Sequence, residues 1–203
     1  LIYSALGFYW GLEPQLPLKG EKLETSSAKI VGLETVSATI DIAETVISKP
    51  GGYLYNDAFP PGVLMDNLPN WELGALVQLR DMVRTLRNNM SRSQSQSTED
   101  LNLVNAEGLF YFDNNSWILP STEGEYKKGV KELLGYMNQL KDLEDQNTQF
   151  YARADNLTIW LSEVETRLGS LSQRLSASVG KRQLDVALAG DSAARQSTEA
   201  TVE

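Results

Sequence analysis

Apolar residues recur along this chain at alternating spacings of three and four, separated by stretches rich in Pro, Gly, Asn and Asp. Between residues 23 and 49, Leu33, Val36, Ile40, Ala43 and Ile47 form one such stripe, which predicts a helix. The β-branched run TVSATIDIAETVI speaks for a strand pair by composition, but its length and period favour the helix. Pro50, Gly51 and Gly52 end it, because proline disfavours helical geometry in the residue before it and glycine accepts the turn. A second stripe, Leu76, Leu79, Val83, Leu86 and Met90, predicts a helix opening at Asn70 as N-cap, with Glu72 complementing the positive end of its dipole.

The polar run SRSQSQSTED, Ser91 to Asp100, reads as the end of that helix followed by an N-cap at Ser97 or Thr98 for a short one. From Gly108, GLFYFDNNSWILPST suggests two short extended pieces around an Asx-rich turn. Thr122 and Glu125 then have capping-box spacing, ahead of Tyr126, Val130, Leu133, Met137 and Leu140. After a more polar middle come Leu157, Leu161, Val164, Leu168, Leu171 and Leu175, in the pattern of a bundle or coiled-coil seam. No proline interrupts residues 121–180, which allows one helix of up to about fifty residues. A break near Asp155 and Asn156 gives two helices instead, and the stripe phases disagree across Glu144 and Asn147. The expected fold is therefore mainly all-α: an antiparallel helical bundle over residues 23–180, with a long C-terminal helix or helix pair and long ordered loops capping one end. Residues 181–203, most clearly from Ala189, lack a stripe and read as a loose polar tail.

The opening segment LIYSALGFYW is too short to span a bilayer, which needs roughly twenty apolar residues, but it suits the end of a span. Tyr3, Phe8, Tyr9 and Trp10 match an interfacial aromatic belt, and no charge precedes Glu13. Residues 1–12 thus read as the end of an N-terminal membrane anchor and 13–22 as a linker. The first lysine is Lys19, so the flank lacks the basic excess of a cytoplasmic side, and the body is expected to face outward from a bacterial inner membrane into the periplasm. The competing readings are a helix or strand packed on a soluble core and a terminus left by signal-peptide cleavage.

Composition narrows the chemistry. A net charge of −9 and a pI near 4.6 argue against nucleic acid as a partner. With no cysteine and no histidine there is no thiolate nucleophile, no disulfide, no thiolate metal site and no imidazole base. Carboxylate chemistry remains, as an acid-dependent glycan-cleaving pair such as Asp57 and Asp66, which would have to lie about 5–10 Å apart. No cofactor is implied, and the Asx-rich loops lack the spacing of an EF-hand for Ca²⁺.

Two groups of residues stand out as candidate contacts. Residues 70–98 carry four arginines against two acids, and Arg80, Arg84 and Arg87 fall on one strip, either as a small anion patch or as partners of the acidic remainder. The loops Gly51–Asn70, Ser91–Asp100 and Asp113–Trp117 are expected to meet at one end of the bundle. There, Trp71 and Trp117 would offer flat apolar faces, and Asn56, Asp57, Asp66, Asn67, Asn70, Asp113, Asn114 and Asn115 hydrogen-bonding groups. Such a mixture suits a sugar-like or protein ligand, and it equally suits a rigid cap whose side chains satisfy loop amides.

The runs GGYLYNDAFPPGVLMDNLPNWELGALVQLRDM, SRSQSQSTED, FDNNSW and RLGSLSQRLSASVG resemble a family of bacterial membrane-anchored proteins, domain of unknown function 2333, over about residues 1–195. The resemblance implies that LIYSALGFYW ends a membrane helix and that the body is periplasmic; it brings no catalytic residue, cofactor or substrate. The expected function is a non-enzymatic envelope protein whose loop-covered end contacts another protein or cell-wall material. The alternatives are a small-ligand sensing bundle and a carboxylate-dependent cell-wall enzyme. A leucine seam fills equally well within the chain or against a second copy, so homo-oligomerisation stays open.

Overall fold

A computed structural model describes residues 2–15, 30–93, 98–142, 144 and 147–199. Among the described residues six α-helices follow one another: α1 Ile2–Trp10, α2 Leu33–Ser48, α3 Asn67–Thr85, α4 Leu101–Phe110, α5 Thr122–Lys141 and α6 Ala154–Glu199. Among the described residues there is no strand. The chain forms two compact units, residues 1–160 and 161–203.

In the first unit α2, α3, α4 and α5 pack around one core, α5 lying against α2 and α4, and α3 against α2 and α4. Every residue of the two predicted stripes on α2 and α3 is buried. The β-branched character of α2 is tolerated because Thr39 Oγ donates to Thr35 O (2.8 Å) and Thr45 Oγ to Asp41 O (2.7 Å), so the hydroxyls bond within the helix while its apolar stripe packs. Gly32 opens α2 at φ 84°, and a side chain there would collide with the Phe150 ring. Between α4 and α5, Gly129 admits the Phe110 ring, which a Cβ at 129 would meet at 2.9 Å.

Several boundaries differ from the sequence reading. Helix α3 starts at Asn67 rather than Asn70, with Asp66 as N-cap, and Asn70 donates its side-chain amide back to Asp66 O (2.8 Å). It ends in a π-helical turn, Leu86–Met90, that keeps both Leu86 and Met90 buried. The N-cap of α4 is Asp100, whose carboxylate accepts from Asn102 N (3.0 Å) and Leu103 N (3.2 Å); a carboxylate takes both amides, which the expected cap at Thr98 cannot match, and Ser97 lies outside the described residues. Gly108–Phe110, expected as extended chain, completes α4, because Phe110 and Ala106 are core residues on a helical period. Ser121, not Thr122, caps α5 by accepting from Gly124 N (3.2 Å).

The open question of one long helix or two resolves as two, with the break at residues 142–153 instead of near Asp155 and Asn156. Tyr136 Oη donates to Gln149 O (2.9 Å) and Tyr151 N to Met90 O (2.6 Å), so this connection is bonded to the bundle. In the second unit the backbone continues α6 as far as Glu199, through most of the stretch read as a tail. Leu161, Leu168, Leu171 and Leu175 are about half exposed or more. The expected linker lies mostly outside the described residues.

Candidate functional site

The end of the bundle where α2 stops and α3 and α5 start is covered by residues 49–66 and 111–121. What holds this cover is a buried ion pair. Lys49, the C-cap of α2, meets Glu72 in the second turn of α3, with side chains 1% and 0% exposed. The Glu72 carboxylate also accepts from Leu54 N (3.0 Å) and Tyr55 N (2.8 Å), and Lys49 Nζ donates to Gly52 O. Burial raises the pKa of Glu72, while Lys49 and the two loop amides oppose it. A buried carboxylate with three partners is an anchor: it replaces the absent secondary structure of the loop with side-chain bonds.

The remaining polar candidates divide: Asn56 is buried, Asp57 is half-buried, and Asp66, Asn67, Asn70, Asp113 and Asn115 are exposed. Asn56 is buried and donates to Ser116 O (2.9 Å) and Glu123 Oε2 (3.4 Å), tying the two loops together. Asp57 sits against Gly62, where a side chain would collide with its carboxylate, and its pKa is raised by burial and then by Glu123, with Lys49 opposing. Asp113 accepts from Asn115 N (3.0 Å), the Asx turn read from the sequence, and Thr122 Oγ donates to Asp113 O (2.8 Å). Beneath them Tyr53 meets Tyr126 edge-on with ring centroids 5.7 Å apart, and burial raises both phenols.

The two tryptophans have different roles. Trp71 is half-buried against the core and lines a groove of about 340 Å³ with Asp66, Asn67, Met65, Gly11, Glu13 and Pro14. Trp117 is exposed and packs against Phe59, centroids 5.4 Å apart. Around that pair the cover is apolar on its outside: Leu64 is 78% exposed, Ile118 65% and Leu119 91%. Asn114 is half-buried on the same loop.

The described parts of the third loop, 91–93 and 98–100, do not join this cover. They lie at the other end of α5, where Asn102 donates to Gln139 Oε1 (2.7 Å), and they border a polar groove of about 560 Å³ together with Tyr136, Thr148 and Tyr151. The reason is chain direction: α4 runs antiparallel to both α3 and α5, so consecutive loops alternate ends. Sequence reasoning missed this groove, since Tyr136 lies one residue off the predicted stripe.

The arginine strip is engaged by the protein itself. Arg80 donates to Phe110 O (2.6 Å), Phe112 O (3.0 Å) and Tyr126 Oη (3.1 Å), so it satisfies carbonyls at the C-terminal end of α4. Arg84 bonds the Tyr111 hydroxyl and lies 3.5 Å from Glu107. Arg87 bridges Glu107 (2.7 Å) and Glu99 (2.9 Å), which raise its pKa. Arg84 and Arg87 thus pair with acidic residues, whereas Arg80 bonds two carbonyls and a phenol.

The site residues that the sequence reading missed are Lys49 and Glu72. Each looks like an ordinary helix-end charge, and the only signal was position: a lone lysine before Pro-Gly-Gly and a glutamate after a tryptophan.

An all-helical bundle, sealed at one end by loops bonded to a buried ion pair and carrying a leucine-lined helix, defines a class of architecture rather than a chemistry. The chain belongs to the bacterial family described as "Uncharacterized protein conserved in bacteria (DUF2333)", whose model matches residues 1–203. No curated protein and no solved structure matches it.

Proposed function

We propose that the protein is a non-enzymatic, membrane-held envelope protein whose helical body is an interaction module, and that α6 carries the interaction. The observation that carries this reading is the seam Leu161, Leu168, Leu171 and Leu175. Its spacing is that of a helix-packing stripe, like the buried one on α5, yet its side chains are exposed. A stripe of this kind offers a partner helix the knobs it needs. In the loop cover, the Asn56 amide donates to Ser116 O and Glu123 Oε2, and the Asp113 carboxylate accepts from Asn115 N, so these groups serve the fold of the cover itself.

The membrane part of the proposal rests on α1. It is uncharged throughout, leaves Ile2, Tyr3, Phe8 and Tyr9 exposed, and is followed by Glu13 before any lysine, which favours an outward-facing, periplasmic body. No described helix is itself long and apolar enough to cross a membrane, so this segment would contribute only the end of a span.

The test is crosslinking in cells with a photoreactive residue replacing Ser172, beside the seam, and, separately, Lys127 on α5. A discrete adduct at Ser172 that vanishes in Leu168→Asp supports the proposal, whether the adduct is a second copy or another protein. The same adduct with and without Leu168→Asp would show that the seam is not the binding face.

A further inference from the structure

The outer face of the loop cover has no assigned partner, and its chemistry is specific. Ala58 to Met65 and Ser116 to Thr122 contain no charged residue in a protein of net charge −9. Phe59, Leu64, Trp117, Ile118 and Leu119 stand out from these two segments, between 47% and 91% exposed. They cannot fold inward, because the segments beneath them are fixed: Glu72 holds Leu54 and Tyr55, Asn56 holds Ser116, and Ser116 Oγ donates to Pro120 O (2.7 Å).

The neighbour of this apolar rim is α1. A Cβ on Gly7 would stand 3.5 Å from Pro61, one on Gly11 would stand 3.6 Å from Met65, and one on Gly51 would run into the Trp10 ring. Helix α1 therefore lies beside the loop that carries Phe59 and Leu64, with exposed aromatic residues on both parts, and the acidic residues nearest their junction, Glu13 and Asp66, lie in the groove at the end of α1 beside Trp71. Phe and Trp among Leu and Ile, without acidic residues, is the composition that settles at the boundary of headgroups and acyl chains. Attraction to anionic headgroups is not the driving force, since the protein is acidic; burial of apolar side chains is.

We propose that the rim formed by Phe59, Leu64, Trp117, Ile118 and Leu119 seats on the lipid interface beside α1, so that the loop-covered end of the bundle rests against the bilayer. The inference deepens the proposed anchoring by α1 and rests on it for the direction of approach. It gives the loop cover a function: the ion pair stiffens a platform whose apolar edge meets lipid.

These 203 residues contain no cysteine, which makes a clean test available. Three versions of the chain, Leu119→Cys, Phe8→Cys and Lys141→Cys, are labelled with an environment-sensitive fluorophore and reconstituted in phosphatidylcholine vesicles with or without nitroxide-labelled lipid. The expected result is loss of emission at both Leu119→Cys and Phe8→Cys on addition of the nitroxide lipid, and none at Lys141→Cys, exposed at the opposite end of α5. Quenching at Phe8→Cys without quenching at Leu119→Cys would overturn the inference and leave the anchor standing. Quenching at Leu119→Cys alone would uphold the lipid contact and overturn the anchor. Equal quenching at all three positions would overturn the assignment of the contact to the rim.

Discussion

Lys49 and Glu72 form an ion pair sealed from solvent between the end of α2 and the start of α3, and the Glu72 carboxylate simultaneously holds the amides of Leu54 and Tyr55. Two charges removed from water stabilise a fold only when each keeps its partner. Glu72→Gln is therefore expected to cost about 3–5 kcal/mol, because it strands a buried ammonium. The double variant Lys49→Met/Glu72→Gln should recover much of that loss, since Gln still accepts from the loop amides. Chemical denaturation of the three proteins checks this; a double variant no better than Glu72→Gln would mean that the amide bonds, rather than the charge pairing, dominate.

Asp57 sets a pH dependence of unusual sign. Burial and Glu123 raise its pKa, so the folded state binds a proton more readily than the unfolded chain. Its contribution to stability is present below the ordinary aspartate pKa of about 3.9 and is lost as pH rises through the folded-state value. Melting temperatures of Asp57→Asn and the natural protein should thus be close in acid and diverge towards neutrality, with the variant higher. A constant offset across the whole range would contradict this.

Arg80 and Arg84 differ in what they hold. Arg80→Lys loses a planar fork that reaches two carbonyls and a phenol, and is expected to cost about 1–3 kcal/mol. Arg84 is exposed, and Arg84→Ala should change stability by about 1 kcal/mol at most. Thermal shift with added sulfate completes the comparison: because the guanidinium groups already have internal partners, any protection should be the same in Arg84→Ala as in the natural protein.

The two leucine stripes should respond oppositely to substitution. Leu133→Ala on α5 opens a cavity in a fully buried site and is expected to cost about 2–5 kcal/mol. Leu168→Asp on α6 changes an exposed side chain, and should leave the unfolding of the bundle unaltered while reducing the self-associated or partner-bound fraction in sedimentation experiments. Loss of bundle stability in Leu168→Asp would show that the seam is filled from within the chain.

The contrast between those stripes also marks how far the sequence was legible. Period alone located the buried faces of α2, α3 and α5, because a one-sided apolar pattern has one low-energy use in a single-domain core. It could not separate the filled stripe of α5 from the open one of α6, since spacing records what a face can pack against and not whether anything is there. The boundaries went astray where side chains compete for the same amides: Asp100 outcompeted Thr98, and Ser121 outcompeted Thr122, whose hydroxyl bonds Asp113 and Ser116 instead. The Asx-rich loops were recognisable as turns from Asp113 and Asn115. That Asn56 and Asp57 face inward was not, because inward and outward asparagines share one composition. Lys49 and Glu72, 23 positions apart, left no periodic trace at all.

The π-helical turn Leu86–Met90 has an effect beyond α3. Ser91 N reaches back five residues to Leu86 O (2.9 Å), so the helix carries one residue more than its regular winding needs. The carbonyls it leaves at Asn89 and Met90 receive Asn156 Nδ2 (2.8 Å) and Tyr151 N (2.6 Å), at the threshold of α6. The surplus residue thus works as a socket: removing one position from this turn would shorten α3 only slightly, yet it would unplug the base of a different helix, about sixty positions further along the chain.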